Sequence, residues 1–322
     1  MKRRECLPLF LASMLGMSVF EAARSKERAP VKIAEAWPAH TAWLILLGAQ
    51  ERLVACAARP DDVPWMFHLV PTLRHAKPIR SGGLNPELLL QLGVDLLILP
   101  ASEVSHEKIL RKLGLAVVSL GFSDFKGLLE CLDMTASLLQ TDFAVQRAKA
   151  YRQFLLGSLG DMREYGAGPR ILHVASLSPL KIDGTHTIID QWIRASGGCN
   201  AATVSGNHID VTQEHILAWN PDIIILSATI TETEYFSQQP IFSCLRAVRQ
   251  GQIYHNPAGL FLWDRYGPEI VLQVQWLKQI IAIGQAHRMD LCDDVREFYH
   301  NFYGISLKQE EAGRILSALP PS

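Results

Sequence analysis

The chain has 322 residues, of which 48% are hydrophobic and 20% charged, with a formal net charge of -1. That is ordinary globular composition with room for about two domains and a sizeable core, and it excludes a disordered or collagen-like chain. Near-neutrality offers no general attraction for nucleic acid or an anionic membrane, so neither is expected as a partner.

The chain begins with Lys2, Arg3 and Arg4, then an apolar run from Cys6 to Phe20, then the small residues Ala22 and Ala23. The run of about 15 residues is too short to span a membrane and has the form of an export signal, with the mature protein starting near Arg24. Arg3 and Arg4 leave both the general secretory and the twin-arginine routes open. Cys6 lies too early in the run to be lipidated. A soluble, exported, periplasmic protein without a lipid anchor is expected. Cleavage leaves Cys56, Cys131, Cys199, Cys244 and Cys292, an odd number without a CxxC pair, which implies neither a disulfide framework nor a zinc site.

Val31 to Ala36 reads as a strand, Ala39 to Gly48 as a helix and Leu53 to Ala57 as a strand, followed by a less regular stretch from Arg59 to Lys77. Pro86 to Leu92 is a short helix, Asp95 to Leu99 an apolar strand, Glu103 to Leu113 a helix, Ala116 to Leu120 a strand and Phe125 to Leu139 a helix. Thr141 to Pro169 predicts one long helix, with Ala144, Ala148, Tyr151, Leu155, Leu159 and Met162 on one face and Thr141 or Asp142 as its cap. Gly166, Gly168 and Pro169 end it. About 24 helical residues would run roughly 36 Å, long for a helix packed inside one small domain.

Beyond it the alternation restarts with strand Arg170 to Ala175, helices Thr187 to Ala195 and Thr212 to Trp219, and strands Asp222 to Leu226 and Gln252 to Tyr254. Three helices close the chain, Arg265 to Ile283, Asp293 to Tyr303 and Leu307 to Leu319. Short apolar strands alternating with helices argue for parallel sheets covered on both faces. Glu87 to Leu99 also aligns without a gap on Glu214 to Leu226: each is a short helix, a turn, an Asp and a buried strand. The repeat flanks the long helix, which predicts an α/β chain of two similar lobes, 24–140 and 169–322, joined by an interlobe helix, 141–168, after a signal at 1–23. A cleft between lobes is the expected ligand site.

Enzyme signatures are absent from the sequence: there is no GxSxG, P-loop, GxGxxG after a strand or HExxH. The eleven histidines lack ligand spacing. A metal-dependent α/β enzyme would need a cluster assembled by folding.

Asp183 to Asn200 (containing Ala-Ser-Gly-Gly-Cys-Asn), Leu217 to Leu226 (containing Trp-Asn-Pro-Asp) and Val248 to Tyr254 resemble the periplasmic substrate-binding proteins of ABC importers for ferric siderophores, haem and cobalamin. Asn85-Pro-Glu87 through Leu99 and Glu297 to Gly304 are similar to further elements of that family. Gly93-Val94 departs from the family's basic-proline pair before Asp95. The resemblance implies two Rossmann-like lobes with central parallel sheets joined by a single long helix, a shallow cleft, no cofactor and no bond chemistry. It further implies an inner-membrane ABC permease as partner to a monomer, and a metal chelate, first of all a ferric siderophore, as ligand. Haem, a corrinoid, or a bare or lightly chelated transition metal such as nickel or zinc are the alternatives.

Strand ends facing the cleft supply the ligand candidates. On the first lobe these are Trp37, His68 and Arg80, the last suited to an anionic chelate. On the second lobe, Thr185 and His186 fall in the loop that meets ligand in the resembling family. The cluster Trp263, Arg265 and Tyr266 adds a stacking surface, a cation and a phenol, with Asp264 placed to cap the following helix. Glu103 and Glu107 after the first repeat, and Glu232 and Glu234 after the second, are candidates for docking to basic pockets of the permease, since one carboxylate on each lobe does so in that family.

Overall fold

A computed structural model describes residues 31–80, 83–159, 168–283 and 291–322. The export segment and the expected end of the long helix, with Met162 and Gly166, lie outside the described residues.

The first lobe runs β1 (Ile33–Glu35), α1 (Pro38–Leu46), β2 (Leu53–Cys56), α2 (Pro64–Leu69), β3 (Lys77–Pro78), α3 (Pro86–Gln91), β4 (Leu96–Pro100), α4 (Val104–Lys112), β5 (Val117–Leu120) and α5 (Phe125–Leu139). Its strands form one parallel sheet in the order β3-β2-β1-β4-β5. Chain order reverses between β1 and β4, the position at which open α/β sheets bind ligands.

The long helix appears as α6 (Asp142–Leu159) over its described part, capped by Thr141, whose hydroxyl accepts from Ala144 N at 3.2 Å. Ala144, Ala148, Tyr151 and Leu155 are its buried face, as the spacing predicts. It packs on α5 of the first lobe and on α11 (Ile270–Ile283) of the second. On the α5 side Arg152 pairs with Asp133; on the other, Tyr151 Oη donates to Pro268 O at 2.7 Å and Lys278 Nζ donates to Ser158 O at 2.6 Å.

The second lobe comprises β6 (Arg170–Leu177), β7 (Leu180–Asp183), α7 (Ile188–Ala195), β8 (Cys199–Asn200), β9 (Ile209–Asp210), α8 (Gln213–Trp219), β10 (Ile223–Leu226), α9 (Tyr235–Gln238), α10 (Arg246–Arg249), β11 (Ile253–His255), α11, α12 (Cys292–Phe298) and α13 (Gln309–Leu316). Its sheet has the order β11-β10-β6-β7-β9, with β8 also pairing β6. The β6, β8, β10 and β11 strands are parallel, whereas β7 folds back antiparallel on β6 around a cis Ser178-Pro179 bond. The sequence reading has no counterpart for β7 to β9, because two- to four-residue strands of mixed polarity carry too little periodicity.

Strand alternation sorts the core into three clusters. Ile33, Leu96 and Ile98 of the first sheet and Ile171, Ile223 and Ile225 of the second point into one continuous cluster. That cluster runs from Trp43 and Trp65 through Ala148, Tyr151 and Leu155 to Trp192, Trp263 and Val271. The intervening residues, Ala34, Leu97 and Leu99 on one side and Leu172, Val174 and Ile224 on the other, fill a separate cluster behind each sheet. A shared apolar core makes the lobes one packed unit rather than two bodies on a flexible linker. The carboxyl-terminal stretch adds a second crossing, because Trp65 Nε1 on α2 donates to Leu319 O at 2.8 Å.

Candidate functional site

Two buried ionisable networks sit on the sheet faces that point into the shared core. Glu35 follows Ile33 by two residues and is fully buried at the end of β1. One carboxylate oxygen accepts from Trp37 N at 2.9 Å, and the other meets His40 Nδ1 at 2.6 Å. His40 Nε2 lies 2.9 Å from Thr135 Oγ1, which spends its own proton on Cys131 O at 2.8 Å and therefore accepts from the ring. Burial works against a charged His40, but the Glu35 carboxylate outweighs it and holds the imidazole up at about 10. The pair is neutral as a whole, and it fixes Trp37: its backbone N–H is held by Glu35, and its ring stacks on His40 with centroids 5.7 Å apart and planes at 13°.

On the second lobe His173 follows Ile171 by two residues and is likewise fully buried. Its Nδ1 lies 2.8 Å from Asp183 Oδ2 and its Nε2 2.9 Å from Asp264 Oδ2. A ring flanked by two carboxylates donates from both nitrogens, so His173 is an imidazolium. Burial opposes that charge, and the bonds to Asp183 and Asp264 overcome it. Asp183 also receives Arg265 Nη2 at 2.8 Å and His208 N at 2.9 Å. Burial would raise its pKa, yet His173 and Arg265 hold the carboxylate well below the ordinary range. Two carboxylates and two cations leave the network charge-balanced. Asp264 is thus bonded to His173 rather than capping the next helix, and that helix starts at Ile270 rather than Arg265.

Between these networks the lobes touch through three half-buried rings. Trp37 leaves the end of β1, Phe122 follows β5, and Tyr266 comes from the loop before α11. Tyr266 lies 5.7 Å from Trp37 and 5.5 Å from Phe122, and Trp37 lies 5.7 Å from Phe122. Its main chain is pinned, since Trp43 Nε1 donates to Tyr266 O at 2.7 Å, and its hydroxyl accepts from Asn207 Nδ2 at 2.9 Å. Asn207 belongs to a loop zipped to the end of β7: Gly184 N donates to Gly206 O and Thr185 N to Val204 O, both at 2.8 Å. Both Gly184 and Gly168 press so close to main-chain carbonyls, of Val204 and Gly197 respectively, that a side chain at either would clash.

The candidates from sequence fall into three groups. Trp37, Arg265 and Tyr266 converge with Asp183 and Asn207 around the contact between the lobes. Thr185 and His186 join this region through the zipped loop, where exposed His186 takes a left-handed conformation and faces Ser205 Oγ at 3.3 Å. Trp263 is fully buried in the shared core and so offers no surface for a ligand to stack on. His68 sits apart on α2, 3.5 Å from Glu311 of α13 and edge-on to Trp65, and Arg80 is exposed beyond β3.

Among the acidic candidates, Glu232 and Glu234 are exposed, and Glu103 is half-buried. Glu107 is bonded by Ser119 Oγ at 2.7 Å and Arg111 Nε at 2.8 Å, contacts that hold its carboxyl below the usual range. Among the described residues no group of three or more His, Cys, Asp or Glu side chains is arranged to hold a metal ion.

Sequence reasoning does not reach Phe122, Asn207, Glu35, His40, His173 and Asp183 as site residues. Phe122 stands two residues past a strand end, as Trp37 does, and Glu35 and His173 are ionisable residues inside apolar strands, which require buried partners.

A model described as "Periplasmic binding protein" matches residues 33–260. The molybdate-binding protein MolA of Haemophilus influenzae is 26% identical over 180 residues, covering 54% of this chain and 50% of that protein, so the chain matches about half of that relative's length. The solved structure of MolA with molybdate superposes with a TM-score of 0.70 at 18% identity, over 86% of this chain and 94% of that one. A periplasmic solute-binding protein of Veillonella parvula gives a TM-score of 0.75 at 23% identity, over 88% and 91%. Helicobacter pylori CeuE with Ni(II) gives 0.68 at 19% identity, over 90% and 95%.

Proposed function

This chain belongs to the periplasmic binding protein family, and from that premise we propose that it captures a compact, anionic metal species between its lobes and passes it to an ABC permease. A metal oxyanion or a small chelate such as a ferric siderophore fits this description. The family and the export segment read from the sequence at 1–23 support a periplasmic place of work, and no helix among the described residues is long and apolar enough to cross a membrane. Delivery rather than bond chemistry is its task.

The observation that carries the reading is the contact of Tyr266, from the second lobe, with Trp37 and Phe122 of the first. The rings close on one another at the carboxyl ends of β1 and β5, with Asn207 bonded to Tyr266 and its loop zipped to Thr185, so a ligand there meets an apolar wall and a polar one. Such a mixed lining suits a recognition site. Contact between the rings favours a compact ligand over haem or a corrinoid, which would have to force them apart. A relative named for molybdate supports the anionic, metal-containing class. Bare nickel or zinc held by His68 and His186 is less well supported, because those residues face Glu311 and Ser205 on separate elements.

Protein purified from its native compartment and subjected to elemental analysis and mass spectrometry tests the reading. A stoichiometric metal present as an oxyanion or chelate supports it. A bound organic solute without metal overturns it.

A further inference from the structure

Because the network of Asp183, Asp264, His173 and Arg265 is charge-balanced, an anion in this cleft is recognised chiefly by aimed hydrogen bonds. Tyr266 is the best-aimed donor. Its carbonyl is fixed by Trp43, its ring is fixed by Trp37 and Phe122, and its hydroxyl oxygen accepts from Asn207 Nδ2 at 2.9 Å. A phenol oxygen that accepts from an amide keeps one proton to donate, and among the described residues nothing accepts it. Burial raises the pKa of Tyr266, so the proton stays on the oxygen. Asn207 is itself held, since the adjacent His208 N donates to Asp183 Oδ1 and Gly206 N donates to Thr185 O at 3.0 Å.

We propose that Asn207 is a specificity-determining residue: by donating to Tyr266 it turns the phenol proton toward the cleft, so that the site selects ligands presenting a deprotonated oxygen. This rests on the binding function proposed above and narrows it to oxygen-rich anions, namely metal oxyanions and chelates with carboxylate, catecholate or hydroxamate oxygens. Asn207 acts through Tyr266 and is a positioning residue, whereas Tyr266 touches the ligand.

The test is isothermal titration of the mature protein with sodium molybdate and with ferric citrate, for wild type, Tyr266→Phe, Asn207→Leu, Asn207→Asp and the double variant Tyr266→Phe/Asn207→Leu, with thermal unfolding to confirm that each variant folds. Loss of one hydrogen bond to a charged ligand predicts a roughly ten- to hundredfold weaker affinity for Tyr266→Phe. Asn207→Asp should weaken binding at least as much, because its carboxylate accepts the phenol's hydrogen bond in the ligand's place and adds a negative charge. Asn207→Leu should weaken binding when Tyr266 is present and have no effect in the Tyr266→Phe background. Equal losses from Asn207→Leu in both backgrounds would mark a merely structural role and overturn the proposal, as would unchanged affinity in Tyr266→Phe. Absence of binding by the wild type to both probes would instead contradict the parent reading.

Discussion

Trp43, on the first helix of the first lobe, donates its indole proton to the main-chain carbonyl of Tyr266 in the second lobe at 2.7 Å. This bond, with Tyr151 on Pro268 O two residues later, ties the loop before α11 in one lobe to the other lobe and to α6. Trp43→Phe keeps most of the apolar volume but leaves that carbonyl without its donor. A loss of about 1–3 kcal/mol in urea unfolding is expected, together with weaker ligand binding because Tyr266 is no longer held. Unchanged affinity in a destabilised variant would show that the bond serves folding alone.

His173 is the cation between Asp183 and Asp264, all three fully buried. His173→Ala leaves Asp264 without its partner and Asp183 dependent on Arg265, and breaking a buried ion pair in this way costs about 3–5 kcal/mol. Equilibrium unfolding measures it, and a cost below about 1 kcal/mol would contradict the charged assignment of the ring.

Glu269 is fully buried, and burial raises its pKa to about 7, against the opposing bonds from Tyr299, Leu260 N and Phe261 N. Between the ordinary value and about 7 the folded protein binds more protons than the unfolded chain. The stabilisation is therefore full below about 4.5 and is lost as pH rises through about 7, by on the order of 3 kcal/mol. Glu269→Gln mimics the protonated form and should gain stability relative to wild type between pH 5 and pH 8 in urea unfolding. A gap that does not change with pH would contradict the assignment.

We propose that acidic loops meet the permease, through the exposed Glu232 and Glu234 on one lobe and Glu103 or Glu107 on the other, and that none of them meets the ligand. Reversal to Lys should slow association with permease in membranes by roughly tenfold at low salt while leaving ligand affinity unchanged. Glu107→Lys differs, because it also breaks bonds to Ser119 and Arg111 and should lower stability. Equal transport by the Glu232→Lys/Glu234→Lys variant would remove these residues from the interface.

The repeated unit was legible because it does the same local work twice. Asp95 Oδ2 accepts from Lys32 N and Asp222 Oδ2 from Arg170 N, both at 2.8 Å, so each aspartate fastens the start of its own strand to the chain entering the neighbouring one. The buried stripe of α6 was legible for a similar reason, since helical periodicity is a local signal. The site was legible only in part. Trp37 betrays itself by position, next to a strand end, and Tyr266 by its company in the cluster Trp263-Asp264-Arg265-Tyr266, whereas their contact joins residues distant in sequence. The pairs His40 with Thr135 and Asp183 with Arg265 depend on long-range packing that no local pattern encodes. What the sequence does carry is the warning: a Glu in Ile33 to Ala36 and a His in Ile171 to Ala175 cannot be buried without partners.

A fluorescence titration of the mature protein tests the central claim most directly, because Trp37 lies in the ring contact between the lobes. Molybdate, tungstate, ferric chelates, haem, cobalamin and nickel chloride would each be added to wild type and to Trp37→Phe. Saturable quenching at micromolar or lower concentration by an oxyanion or compact ferric chelate, largely lost in Trp37→Phe, is the predicted result. No response to any of these ligands, or quenching undiminished in Trp37→Phe, would contradict the account.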